Sequence, residues 1–252
     1  MKLLRTMELG DHGRLLVTAD AISLFEAAAE LVVQSAAEAV AARGRFTIGL
    51  SGGSTPKALY ALLAAQPWRD RIDWPKTHFF WSDERWVPPT DKQSNYRMVH
   101  ETLLSKVSVP AENIHRIETG SGEPQESAAK YEQEIRKIVG ERPQIDLNLL
   151  GLGTNGHTAS LFPHQPALKV RDRLVVADYI DEVKMSRITF TVSLINESRT
   201  ILFLVSGNEK APVLREVLGG PQNTEQLPAQ LIRAKDGKLI WLADAAASAD
   251  LK

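Results

Sequence analysis

Apolar positions along the chain fall into two alternating patterns. Short, nearly continuous runs at residues 45–50, 77–82, 145–150, 188–194, 200–205 and 238–242 have the length and density of strands buried on both faces. Between them lie stretches of helical period. Asp20 opens a long one through Ala42, with Leu24, Phe25, Ala28, Leu31 and Val32 on one face and Gly44 as its stop. Further helices are predicted at 56–65, 94–107, 124–139 and 209–218; in the third, Ala128, Tyr131, Ile135, Ile138 and Val139 form one apolar face before Gly140. Strand and helix in alternation predict an α/β fold, a doubly wound, mostly parallel sheet flanked by helices in a Rossmann-like, three-layer arrangement. No repeat or low-complexity linker interrupts it, and residues 120–124 and 219–228 read as surface loops. The length of 252 residues fits one domain spanning 1–252.

The unusual residues follow the strand ends, where open α/β sheets bind ligands. After the first strand comes Ser51-Gly52-Gly53-Ser54-Thr55-Pro56-Lys57. Gly52 and Gly53 expose backbone N–H groups, Ser54 or Thr55 can cap, and Pro56 suits an early helical position, so the helix N-terminus is suited to a phosphate. The spacing is not that of a Walker loop, which argues against nucleoside triphosphate hydrolysis. After the second strand comes Asp83-Glu84-Arg85, then Ser94-Asn95-Tyr96-Arg97-Met98 opening a helix. Two acids and an arginine at a buried strand end form either an internal ion-pair network or a clamp for a polyol and a phosphate. Of the three, Arg85 has the planar fork that suits a phosphate. Lys210, in the first turn of the helix at 209–218, opposes the helix dipole unless an anion shares the site. Arg187, heading the 188–194 run, is open to the same two readings.

The segment Leu150-Gly151-Leu152-Gly153-Thr154-Asn155-Gly156-His157-Thr158-Ala159-Ser160-Leu161-Phe162-Pro163 ends a strand in a glycine-rich turn that presents one imidazole. Gly153 and Gly156 permit a tight turn and close backbone approach, and His157 can take a proton near neutral pH. Gly151, Gly153 and Gly156 also spell the dinucleotide fingerprint, with Asp178 at about the spacing of a ribose-binding acid. That fingerprint requires a long helix after its third glycine, and Pro163 and Pro166 interrupt the segment.

Composition narrows the chemistry. The chain has no cysteine, which excludes disulfides, iron–sulfur clusters, thiolate zinc and thiol nucleophiles. The remaining histidines, His12, His78, His100, His115 and His164, show no paired ligand spacing, so no metal site is expected. No serine sits in a G-x-S-x-G elbow, which counts against a serine nucleophile. A formal net charge of −1 argues against general affinity for nucleic acid or an anionic membrane. Residues 1–10 carry charges and no long apolar run, and no stretch approaches a membrane span. The expectation is a cytoplasmic protein, monomeric or weakly self-associating, that binds a small molecule.

Taken together, Ser51-Gly52-Gly53-Ser54-Thr55-Pro56, Asp83-Glu84-Arg85-Trp86-Val87-Pro88, Ser94-Asn95-Tyr96-Arg97-Met98 and the turn from Gly153 to Pro163 resemble the 6-phosphogluconolactonases. The resemblance runs from the first helix to Trp241-Leu242-Ala243-Asp244-Ala245-Ala246. It implies hydrolysis of 6-phospho-D-glucono-1,5-lactone to 6-phosphogluconate in the pentose phosphate pathway, without a cofactor. It also implies His157 as the base that deprotonates water, with Gly52, Gly53, Ser54, Arg85 and Lys210 holding the phosphate. Asp83, Asn95, Gly153, Asn155, Gly156 and Arg187 would then contact the sugar or brace its loops. The related glucosamine-6-phosphate deaminases carry Asn-Glu-Pro where this chain has Leu161-Phe162-Pro163, the lactonase form; deamination stands as the alternative, together with a non-catalytic sugar-phosphate sensor. The chain departs from the lactonase pattern in two places. Asn155 replaces the usual aspartate of the turn, and Met185-Ser186 replaces a proline pair ahead of Arg187.

Overall fold

The structure, a computed structural model, describes residues 2–251. Its frame is an eight-stranded sheet. Strands β1 (Arg5–Glu8) and β2 (Arg14–Thr18) form an antiparallel hairpin at one edge, and helix α1 (Ala21–Arg43) follows. The Asp20 carboxylate accepts from Ser23 N at 2.8 Å to cap α1, and Gly44 ends it in the left-handed region at φ 73°. Then come β3 (Phe46–Leu50), α2 (Ser54–Leu63), β4 (Thr77–Trp81), β5 (Asp83–Arg85), α3 (Asn95–Thr102), β6 (Ile114–His115), α4 (Pro124–Val139) and β7 (Leu147–Gly151). The chain closes with β8 (Val175–Ile180), β9 (Met185–Phe190), α5 (Val192–Asn196), β10 (Thr200–Val205), α6 (Ala211–Gly219) and β11 (Lys238–Asp244).

The sheet order is β1-β2-β11-β10-β7-β3-β4-β6, parallel everywhere except the β1–β2 hairpin. From β3 the chain builds outward through β4 to β6, and from β7 it builds the other way through β10 to β11. The order therefore reverses between β3 and β7, which leaves a crevice at their carboxyl ends. Helices pack on this sheet, α1 against β2, β3 and β11, and α2 against β7 and β10. The strands that carry the core are mostly apolar, with Thr47, Thr77 and Asn148 buried among them, and Leu50, Phe80, Trp81, Leu149, Leu150, Phe203 and Trp241 are fully buried. Among the described residues no helix is long and apolar enough to cross a membrane.

The run at 188–194 departs from its expected place. It does not join the main sheet: β9 pairs with β5 and β8 in a separate three-stranded antiparallel sheet, and the chain then turns into α5. The Thr191 hydroxyl caps that helix, accepting from Leu194 N at 3.3 Å, so its second half was never strand. The small sheet grows out of the large one. Ser82 N still donates to Leu50 O at 2.8 Å, and one residue later Asp83 pairs with Thr189.

Candidate active site

The crevice between β3 and β7 opens into a cavity of about 400 Å³, walled by the β3–α2 loop, the β7 turn, the small sheet and the turn before α6. The β3–α2 loop is fastened from behind. The fully buried Tyr60 hydroxyl accepts from Ser51 N at 3.0 Å and donates to Ser51 O at 2.9 Å, while Ser51 Oγ donates to Leu149 O at 2.6 Å. Neither Ser54 nor Thr55 caps α2. Gly53 holds the capping position at φ 102°, with no side-chain hydrogen bond to the helix, so the first-turn N–H groups remain uncapped. Gly52 is pressed against Asn95: a Cβ there would lie 2.0 Å from Asn95 Oδ1. Asn95 in turn donates to Asp83 O at 2.9 Å.

The β5–β9 wall resolves the two readings of Asp83-Glu84-Arg85 residue by residue. Glu84 is internal. It is 1% exposed and accepts from the N–H groups of Arg85, Asn95 and Tyr96 at 2.7–2.8 Å, which anchors α3. Burial pushes its carboxyl pKa up, and those three N–H groups pull it back. Asp83 faces the cavity and accepts from Ser160 Oγ at 2.6 Å. Arg85 and Arg187 also line the cavity, and the strand register sets them directly opposite each other. Like charges across a strand pair are unfavourable. Both Nε atoms are buried without a hydrogen-bond partner, and Arg187 is only 9% exposed. Unsatisfied buried donors of like charge, side by side in a cavity wall, suit an anion. Lys210 joins them from the short 3₁₀ turn Asn208–Lys210, one residue before α6 begins, and not from the first turn of the helix as expected.

Opposite stands His157. No long helix follows Gly156; instead Thr158 and Leu161 close a tight turn by an isolated bridge, so the dinucleotide fingerprint lacks its helix. Gly153 N donates to His157 O at 2.8 Å, and a Cβ on Gly153 would sit 2.1 Å from His157 Nδ1. Only glycine lets the imidazole lie there. Phe162 stacks on the ring at 4.1 Å between centroids, and Ala159 accepts a left-handed φ of 48° beside it. His157 Nδ1 lies 2.6 Å from Asn155 Oδ1, and Asn155 Nδ2 donates to both oxygens of Glu182 at 3.2 and 2.9 Å. A carboxylate only accepts, so the amide oxygen faces the ring. Nδ1 therefore carries the proton and Nε2 keeps its lone pair.

Burial lowers the His157 pKa to about 4; Asp83 pulls it up, while Lys210, Arg187 and Arg85 push it further down. The ring is thus neutral through the physiological range and protonates only below it. In a nitrogen NMR titration of the free protein, His157 is expected to stay neutral until the pH falls to about 4. Saturating sulfate, which offsets the three cations, should move that midpoint upward. A midpoint near the ordinary value of about 6.5, indifferent to sulfate, would show that neither burial nor these cations act on the ring.

Of the residues singled out from sequence, Gly52, Gly53, Ser54, Asp83, Arg85, Gly153, His157, Arg187 and Lys210 line this one cavity. Asn95, Asn155 and Gly156 stand behind its surface. Asn95 braces Gly52 and Asp83, Asn155 holds His157, and Gly156 turns at φ 83° against Leu227. Sequence reasoning missed the buried braces Tyr60 and Ser160, and it missed Glu182. Met185 and Ser186 simply open β9, pairing with Ile180 and Tyr179 across the β8–β9 hairpin.

A reversed-order α/β sheet with a cationic pocket and one neutral imidazole at the reversal describes an enzyme class that works on small anions. The chain belongs to the family of glucosamine-6-phosphate isomerases and 6-phosphogluconolactonases, whose sequence model matches residues 19–241. It is 43% identical over 239 residues to the 6-phosphogluconolactonase of Nostoc sp., covering 93% of this chain and 97% of that protein. The crystal structure of 6-phosphogluconolactonase from Thermotoga maritima superposes with a TM-score of 0.79 at 32% identity, covering 91% of this chain and 98% of that one. The 6-phosphogluconolactonase from Trypanosoma cruzi superposes with a TM-score of 0.85 at 26% identity, over 98% and 99% of the two chains.

Proposed function

We propose that the chain hydrolyses 6-phospho-D-glucono-1,5-lactone to 6-phosphogluconate, with His157 as general base. The observation that carries this reading is the fixed tautomer: Asn155 occupies Nδ1, which leaves Nε2 as the proton acceptor of a ring that lines the cavity. Names and coverage of the relatives support the same substrate. The phosphate is held by the Gly52-Gly53-Ser54 loop with Arg85 and Lys210, and Asp83 and Arg187 meet the sugar. Water attacks C1 as His157 Nε2 takes its proton, and the charge on the carbonyl oxygen is met by nearby backbone N–H groups. The tetrahedral intermediate then collapses, breaking the bond from C1 to the ring oxygen, and the imidazolium returns its proton to that oxygen. Acid and open-chain hydroxyl result. A base and a water suffice, so the reaction calls for no cofactor.

The test is turnover of the phosphorylated lactone above its spontaneous hydrolysis, with ammonia release from glucosamine 6-phosphate measured in parallel. Lactone turnover without ammonia is expected. Ammonia release would establish the deaminase, and 6-phosphogluconate binding without either activity would establish a sensor.

A further inference from the structure

The exposed turn Asp181–Val183 between β8 and β9 brings a carboxylate to the rim of the cavity, and nothing in the reaction above uses it. The turn is closed by Lys184 N donating to Asp181 O at 3.3 Å, with Lys184 held at φ 48°, so the placement of Glu182 is built into the hairpin. Glu182 takes both of its hydrogen bonds from one group, the Asn155 amide nitrogen. The amide oxygen is thereby committed to the other side, where it accepts from His157 N at 3.2 Å and meets Nδ1 at 2.6 Å.

We propose that Glu182 is the positioning residue of the His157 base: by fixing the orientation of the Asn155 amide, it keeps the proton on Nδ1 and the lone pair on Nε2. The proposal rests on the lactonase reading and deepens it. An amide has two faces of opposite hydrogen-bonding character, whereas a carboxylate has one. An asparagine beside a catalytic imidazole can therefore rotate and offer Nδ2 to the ring, which selects the tautomer with Nε2 protonated and no base toward the cavity. An aspartate needs no such guard. Glu182 supplies what the asparagine lacks, an outer acceptor that makes rotation costly. The other charges facing His157 do not do this: Asp83 and Arg85 on β5, Arg187 on β9 and Glu209 and Lys210 before α6 border the cavity, and none hydrogen-bonds to Asn155.

The experiment follows the tautomer of His157 by nitrogen NMR of ring-labelled histidine near neutral pH, with the resonance assigned from His157→Gln, and measures kcat and KM on the same proteins. The wild type is expected to be protonated at Nδ1 alone. Glu182→Ala should show a mixture with an Nε2-protonated fraction, and kcat about 10-fold lower at unchanged KM, the scale of a lost outer hydrogen bond to a functional histidine. The exchange Asn155→Asp with Glu182→Gln reverses amide and carboxylate while keeping the hydrogen bonds, and should restore both the pure tautomer and kcat. Glu182→Ala with the tautomer intact overturns the proposal. So does unchanged kcat, a loss confined to KM, which marks a substrate contact, or a loss that the exchange fails to rescue. If the wild type turns over no lactone, the assigned reaction falls, and the tautomer comparison alone still decides the role of Glu182.

Discussion

His157→Gln is expected to lower the lactone hydrolysis rate by about two to four orders of magnitude while leaving 6-phosphogluconate binding nearly intact, as removal of a general base does. The two outcomes separate because the imidazole and the cationic wall come from different elements. His157 rides on the turn after β7 and is wedged between Gly153 and Phe162, whereas Arg85, Arg187 and Lys210 come from β5, β9 and the turn before α6. Glutamine at this position retains a polar end but cannot accept a proton at neutral pH. A variant with near wild-type turnover, after spontaneous hydrolysis is subtracted, sinks the assignment of the base.

Arg85→Ala and Lys210→Ala are each expected to weaken binding of the phosphorylated lactone by about 1.5–3 kcal/mol, the range for a hydrogen bond between two ionised groups. Unphosphorylated gluconolactone should barely respond. The selectivity follows from geometry: Arg85 Nε is buried and unpartnered, and its Nη1 is already committed to Gln93 O at 2.5 Å. The side chain is thus steered into the cavity wall with a free donor. Steady-state kinetics on both lactones check this. Equal losses on the two would show that these residues support the fold or the reacting centre instead.

Local chemistry was legible in the sequence because it acts over a few residues. Asp20 and Gly44 delimit α1 by hydrogen bonds and backbone conformation that their own side chains dictate, and the glycine loops after β3 and β7 advertise close backbone approach. The sheet to which an apolar run belongs is not a local property. Residues 188–190 read as buried strand whichever partner they pair with, and the partner β5, three residues all of them charged, carries no strand pattern. The β1–β2 hairpin was equally silent, since its turn depends on Gly13 N reaching Gly10 O and not on a hydrophobic period. At the site, Gly52, Gly53, Ser54, Asp83, Arg85, Gly153 and His157 line the cavity from recognisable motifs. Glu182 lies 27 positions beyond Asn155 in a surface turn, where no spacing rule connects a carboxylate to an imidazole.

The paired Arg85 and Arg187 are expected to make the stability of this protein a function of the anions around it. The two cations stand side by side with both Nε donors unpartnered, and an oxyanion drawn to them would bind the folded chain and not the unfolded one. Stabilisation then grows as RT ln(1 + [L]/Kd) with anion concentration. Phosphate in a buffer is then expected to act on this fold as a thermodynamic ally and at the same time as a competitor for the substrate's place. A melting temperature measured without naming the anion is one point on a binding isotherm.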